Sequence, residues 1–258
     1  MNILWKICPL KAFRDNYIWV IHGQRHAVVV DPGDAGVVQA FLREHELTLA
    51  AILVTHHHHD HVDGVMELVR HQIVPVFGPA LEAIPGVTHP VRGGEMLHLP
   101  ELSLSLTVLD IPGHTAGHLA YVGHDVLFCG DTLFGCGCGR LFEGTAAQML
   151  DSLDRLAALP ADTRVYCAHE YTLGNLAFAL TVEPDNVLLQ ARAQRDRARV
   201  ALGEPSLPST LVLEMDTNPF LRCHHPVVWQ YAEHVSGKKI DTVVEVFSIL
   251  RQLKNDFG

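Results

Sequence analysis

The chain has no Cys-x-x-Cys pair and no dense cysteine framework: its six cysteines stand at 8, 129, 136, 138, 167 and 223. That scatter argues against a disulfide scaffold and for reduced thiols in a reducing, cytoplasmic compartment. No apolar run reaches the 18 residues of a membrane span, and no long apolar segment near the start reads as a secretory signal. Basic charge is scarce as well. Against 29 Asp and Glu stand only 19 Lys and Arg, a formal net charge of −10. Neither nucleic acid nor an anionic membrane is therefore expected as the main partner, and any anionic substrate needs a local basic patch. No Gly-x-Ser-x-Gly elbow occurs, and no other serine presents itself as a nucleophile. What the 258 residues do have is 48% hydrophobic residues, ample for one large domain or a domain with a smaller appendage.

They also have a histidine cluster. Thr55-His56-His57-His58-His59-Asp60-His61 follows an apolar run at 49–54 that reads as a buried strand, so the histidines begin where that strand ends. In an open α/β sheet, sites collect at that edge because loops converge there. His56 and His58, two apart, can point the same way, and Asp60 and His61 add a second pair of donors. Imidazole nitrogen and carboxylate oxygen suit zinc, iron or manganese rather than copper(I). A chance His-rich tract binds metal only adventitiously, so the reading depends on further donors at similar strand ends.

Short apolar segments at 3–8, 17–22 and 27–31 suggest an antiparallel meander, and 37–46 has helical spacing. Asp31 is a candidate ligand or outer acid, although a turn and helix-start carboxylate is the favoured reading. A helix is expected at 63–71 and a strand at 74–77, while 79–100 reads as loops and short strands in which His89 and His98, like the preceding His71, lack partners in sequence. A half-buried strand at 102–109 leads to Gly113-His114, the next donor. His118, at the start of a strand at 118–122, is expected to be packed and hydrogen-bonded rather than a ligand. Asp131 ends a strand at 125–129 beside Gly130, and a carboxylate can bridge two cations. The stretch 135–140 reads as a flexible glycine-rich loop, with little weight on a thiol role for Cys136 or Cys138. A helix at 146–158 and a strand at 164–167 deliver His169, the last donor. Seven donors, His56, His58, Asp60, His61, His114, Asp131 and His169, are too many for one tetrahedral zinc and suit two metals sharing a carboxylate.

Through Thr55-His-x-His-x-Asp-His61, Gly113-His114, Gly130-Asp131 and His169 the sequence resembles the metallo-β-lactamase superfamily. Within it, the closest likeness is to the hydroxyacylglutathione hydrolase (glyoxalase II) family. That likeness is carried by Gly130-Asp-Thr-Leu-Phe134, Cys138-Gly-Arg-Leu-Phe-Glu-Gly-Thr145, His169-Glu-Tyr-Thr172, Asn175-Leu-x-Phe-Ala179, Val182-Glu-Pro-x-Asn186 and Arg251-x-x-Lys254. The resemblance implies one metal held by His56, His58 and His114, another by Asp60, His61 and His169, and Asp131 bridging. Asp60 and Asp131 are accordingly expected to be catalytic as well as ligating. The implied cofactors are two divalent metal ions, zinc first, with iron or manganese as alternatives. The implied α/β fold is a four-layer αββα metallo-β-lactamase sandwich at 1–173 with a smaller all-helical C-terminal domain at 174–258, and helical spacing at 187–202, 227–236 and 241–253 independently supports a domain change.

The implied activity is hydrolysis of S-D-lactoylglutathione to D-lactate and glutathione, the second step of methylglyoxal detoxification, by one chain acting as a monomer. Two cations bring the pKa of a shared water toward roughly 7 and stabilise an oxyanion, and a thiolate of pKa roughly 8.5 leaves without protonation. Arg251 and Lys254, i and i+3 on one helical face, can approach the same substrate carboxylate. Basic residues in a helix's last turn also simply complement its dipole. Arg140 and Tyr171 resemble further substrate contacts. Where the family often carries tyrosine, this chain has Phe142, so weaker glutathione binding is expected. The rival expectations are a related hydrolase of another ester, lactone or phosphodiester, a glutathione persulfide dioxygenase with one iron, and a metal-buffering protein without turnover.

Overall fold

A computed structural model describes residues 5–70 and 72–257, so position 71 and the first two residues of the strand expected at 3–8 lie outside the described residues. The chain gathers into two compact units. One comprises the chain up to Asp110 together with Thr115–Gly130, and the other comprises Ile111–His114 and everything from Asp131 onward.

In the first unit, strands β1 (Lys6–Ala12), β2 (Asn16–His22) and β3 (His26–Val30) form the expected antiparallel meander. The sheet then turns parallel through β4 (Thr48–Leu53), β5 (Val76–Pro79) and β6 (His89–Val91). Helix α1 (Ala35–Glu44) makes the β3-to-β4 crossover and lays Ala35, Val38 and Leu42 into the core. There they meet Ile18, Val20, Val29, Ile52 and Val76, all fully buried on the sheet. Each such side chain contributes about 1.5–3 kcal/mol by leaving water, which is why parallel strands read as unbroken apolar runs. Strands β7 (Met96–Leu99), β8 (Leu104–Asp110), β9 (Leu119–Gly123) and β10 (Val126–Gly130) follow as an antiparallel meander.

Within the helix expected at 63–71 the described residues form a shorter one, α3 (Val65–Val69), preceded by a separate short helix α2 (His59–Val62). Between them the Gly64 amide donates to the Pro32 carbonyl oxygen at 3.0 Å, a tertiary bond that breaks the helical ladder.

The second unit holds a buried hairpin, β11 (Leu133–Phe134) with β12 (Gly137–Cys138), and the antiparallel pair β13 (Arg164–Cys167) and β14 (Ser209–Thr210). Its helices are α4 (Ala146–Ala157), α5 (Thr172–Val182), α6 (Val187–Ala201), α7 (Leu211–Thr217), α8 (Pro226–Ser236) and α9 (Val243–Asp256). Both α4 and α9 start on capping boxes, Thr145 with Gln148 and Thr242 with Glu245, in which side chain and backbone satisfy each other's orphan donors. Among the described residues no helix is long and apolar enough to cross a membrane.

The glycine-rich stretch after Asp131 is not the flexible loop its composition suggests. Arg192 on α6, almost fully buried, donates to Glu214 at 2.6 Å, to Thr217 at 2.7 Å and to Asp196 at 3.3 Å. Glu214 in turn accepts from the Cys136 amide at 2.8 Å, Asn218 donates to the Gly137 carbonyl oxygen at 2.9 Å, and Asn175 donates to that of Gly135 at 3.0 Å. A Cβ at Gly135 would lie 2.3 Å from Thr172 Oγ1 and one at Gly137 2.4 Å from Asn175 Nδ2, so these glycines let α5 lie against the hairpin. Their job is close packing.

Candidate metal centre

The first donor set grows from the end of β4. Thr55 closes that strand, its carbonyl oxygen accepting from the Leu119 amide at 2.9 Å. Its own amide and hydroxyl donate to the two carboxylate oxygens of Asp31, at 2.7 and 2.8 Å. Asp31 Oδ2 also lies 3.1 Å from His61 Nδ1, which fixes the imidazole so that Nε2 is the nitrogen offered to a cation. This corrects the reading of Asp31 as a turn and helix-start carboxylate. The cap of α1 is Asp34, whose side chain accepts from the Gly36 and Val37 amides, while Asp31 is buried at φ 53° with its carboxylate turned onto the histidine segment.

The rest of the set packs tightly. His56 Nε2 lies 3.0 Å from His58 Nδ1, and the fully buried His56 ring sits 4.0 Å from that of His61. His118 stacks on His56 at 4.6 Å and is buried, as expected of its packing, while its Nδ1 makes no hydrogen bond among the described residues. Asp60 Oδ2 accepts from Asn16 Nδ2 at 2.8 Å and lies 3.6 Å from His61 Nε2. Asn16 is a contact to a candidate ligand that the sequence does not announce, because it stands 44 positions from Asp60, at the start of β2.

The second donor set lies in the other unit. Asp131 Oδ2 is 3.4 Å from His114 Nε2 and 3.3 Å from His169 Nε2. All three residues are buried. His114 is oriented through Nδ1, 2.8 Å from the Arg140 carbonyl oxygen. His169 is held by aromatic faces, with Tyr171 stacked parallel at 4.8 Å and Phe134 edge-on at 5.8 Å.

These residues fit divalent metal ions. Two ligands at about 2.1 Å from one tetrahedral ion are about 3.4 Å apart, which is the spacing seen within each set. Residues of both sets belong to groups able to hold such an ion. Every donor is an imidazole or a carboxylate. The cysteines make poor ligands here, since burial pushes the Cys136 thiol up to about 12 and raises those of Cys138 and Cys167.

In the second unit a cavity of about 520 Å³ is lined by His114 and Asp131 together with Arg140, Tyr171, Arg251 and Lys254. Phe134, Phe142 and Phe257 supply apolar wall. Lys254 is half-buried, and Arg251 is tied down. The Arg251 guanidinium donates to the Cys138 carbonyl oxygen at 2.7 Å and to Asn255 at 3.2 Å while lying over the Phe220 ring. It thereby joins α9 to the hairpin as well as lending charge to the cavity.

Two family profiles together cover most of the chain and meet near residue 170, well after the Gly130/Asp131 boundary of the two compact units. The profile of the metallo-beta-lactamase superfamily matches residues 13–169, and that of the hydroxyacylglutathione hydrolase C-terminus matches residues 170–257. A hydroxyacylglutathione hydrolase of Nitrosomonas eutropha is 53% identical over 97% of this chain and 98% of its own. One of Alkalilimnicola ehrlichii is 55% identical over 97% and 98%. Among solved structures, ETHE1 from Myxococcus xanthus is similar at 25% identity with a TM-score of 0.67, covering 96% of this chain and 90% of its own. The expected metallo-β-lactamase fold, with its helical C-terminal region, is borne out by these matches and by the sheets described above. The chain belongs to the hydroxyacylglutathione hydrolase family of the metallo-β-lactamase superfamily.

Proposed function

We infer that this chain is a hydroxyacylglutathione hydrolase, a metal-dependent thioesterase that cleaves S-D-lactoylglutathione to D-lactate and glutathione. The observation that carries the reading is the cavity in which two metal-ligand candidates, His114 and Asp131, share one wall system with three cationic side chains, Arg140, Arg251 and Lys254. A volume of about 520 Å³ is that of a small-molecule site, for which about 300–1,000 Å³ is usual. In a chain of net charge −10, such a group of cations is what an anionic tripeptide needs. A lactone hydrolase has no use for it.

The residues that would hold the ions are His56, His58 and His114 for one and Asp60, His61 and His169 for a second, with Asp131 available to both; zinc is the first choice and iron or manganese the alternatives. Bound there, the ions supply Lewis acidity and lower the pKa of water toward roughly 7. The chain's own residues do the rest. Asp31 and Asn16 hold His61 and Asp60 in orientation, as the Arg140 carbonyl oxygen does for His114. Arg140 and Lys254 draw the glycine and glutamate carboxylates of the peptide toward the cavity, and the aromatic wall excludes bulk water around the thioester. The thiolate, of pKa roughly 8.5, departs without a protein acid. All the named donors lie on one chain, which supports a monomer as the working unit.

The test is metal analysis of the purified protein together with hydrolysis of S-D-lactoylglutathione and of a lactone, before and after chelation. The reading requires two ions per chain and thioester hydrolysis that is lost on chelation and recovered on reloading. Preference for the lactone, oxygen uptake with glutathione persulfide, or metal binding without turnover would each replace it.

A further inference from the structure

Glu82 belongs to neither donor set and sits in the turn after β5, yet its side chain is only 3% exposed. A buried carboxylate is costly unless its oxygens are satisfied; here Oε1 is hydrogen-bonded by the stretch that follows His114, and the buried Oε2 has the His57 ring beside it. Oε2 lies 3.0 Å from Nδ1 of His57, the histidine between His56 and His58. Oε1 accepts from the Thr115 hydroxyl at 2.5 Å and from the Gly117 amide at 3.0 Å, in the segment directly after His114. The His57 ring packs edge-on against that of His58 at 5.1 Å, so the orientation of His57 is passed to a donor. Residue 117 must be glycine for this to work: a Cβ there would lie 2.6 Å from Glu82 Cγ and 3.1 Å from Leu81 Cβ. The fold thus makes room for a carboxylate where an apolar side chain would have cost less.

We propose that Glu82 is a positioning residue for the metal centre, clamping His57, and through it His58, to the segment 115–117 that follows His114. The proposal rests on the metal-centre reading above. Outer partners that orient ligands are worth about 10–100-fold in metal affinity, and Glu82 acts one step further out than Asp31, through His57 and through the backbone.

The test is metal affinity by competition with a chromophoric chelator, combined with the visible spectrum of the cobalt(II)-substituted protein, for the full chain and for Glu82→Ala and Glu82→Gln. The expected result is a loss of about tenfold or more in affinity for Glu82→Ala, with an altered cobalt spectrum, and partial rescue by Glu82→Gln, whose amide oxygen still accepts from Thr115 and Gly117. Unchanged affinity and spectrum overturn the proposal, even if the metal-free variant melts earlier, because Glu82 is then a fold residue only. Should Glu82→Ala fail to fold, His57→Phe and Thr115→Val each break one arm of the clamp. Several-fold weaker metal binding in each supports the proposal, and wild-type affinity in both overturns it. A wild-type protein that binds no pair of ions sinks the metal-centre reading itself, and the role of Glu82 falls with it.

Discussion

Phe142 lines the cavity beside His114 and Asp131 and is 62% exposed, with its ring edge-on to His114 at 5.2 Å. It offers apolar surface where a hydroxyl would give the peptide a hydrogen-bond partner. One such bond is worth about 0.5–1.5 kcal/mol, so Phe142→Tyr is expected to lower KM for S-D-lactoylglutathione by about two- to tenfold with kcat little changed. Steady-state kinetics check this, and an unaltered KM would show that the position does not meet the peptide. Lys254 makes a second prediction. Burial, then repulsion from Arg251 and Arg140, lowers its pKa from the ordinary 10.5. The protonated form is the one that binds a carboxylate, so affinity is complete at neutral pH and is lost as pH rises through the lowered value, before 10.5 is reached. The unfolded chain holds that proton more tightly, so in the same window protein stability rises with pH while substrate affinity falls. A KM–pH profile should therefore climb on the alkaline side in the wild type and lie flatter in Lys254→Met. A profile identical in the two proteins would remove Lys254 from the binding site.

At the scale of elements, the hairpin β11–β12 is the instructive case. Read locally, Gly135 to Arg140 has the composition of a mobile loop, and nothing within ten residues contradicts that. Its rigidity comes from Asn175, 40 positions away, and Glu214, 78 positions away, which is why composition misleads there. Buried Arg192 pairs with buried Glu214 and Asp196, and Arg195 supplies Asp196 with a second cation. Removing one partner of a buried ionic network costs about 3–5 kcal/mol because the other charge stays behind. Arg192→Met should lower unfolding stability by that amount in urea, with the hairpin loosened. A loss under about 1 kcal/mol would mean that the network is as weak as a surface pair. Helices α4, α6 and α8, by contrast, are legible from apolar spacing to within a residue at each end, and α9 to within three, since each packs one face. The helix expected at 63–71 is confined to Val65–Val69 for the opposite reason, as the Gly64-to-Pro32 bond is a tertiary event.

On the scale of the whole molecule, ions that bind only the folded chain stabilise it by mass action, about 4 kcal/mol each at a thousandfold excess over Kd. For a chain of 258 residues, about 2–4 °C of Tm follow each kcal/mol. Dialysis against a chelator is expected to lower Tm by on the order of 10 °C and reloading to restore it, as calorimetry can check; an unchanged Tm would mean that no ion is held by the folded state. The sequence alone pointed to seven candidate donors, a buried strand before the histidines, C-terminal helices and the family, because strand-end motifs and helical periodicity are local and carry their own chemistry. Only the tertiary structure decided that Asp31 serves His61 rather than a helix, that Asn16 and Glu82 hold side chains no motif links them to, and that a glycine-rich stretch is buried and rigid. The physical reason is the same in each case. A carboxylate or amide chooses its partner by what folding brings within hydrogen-bonding distance, and sequence separation carries no information about that.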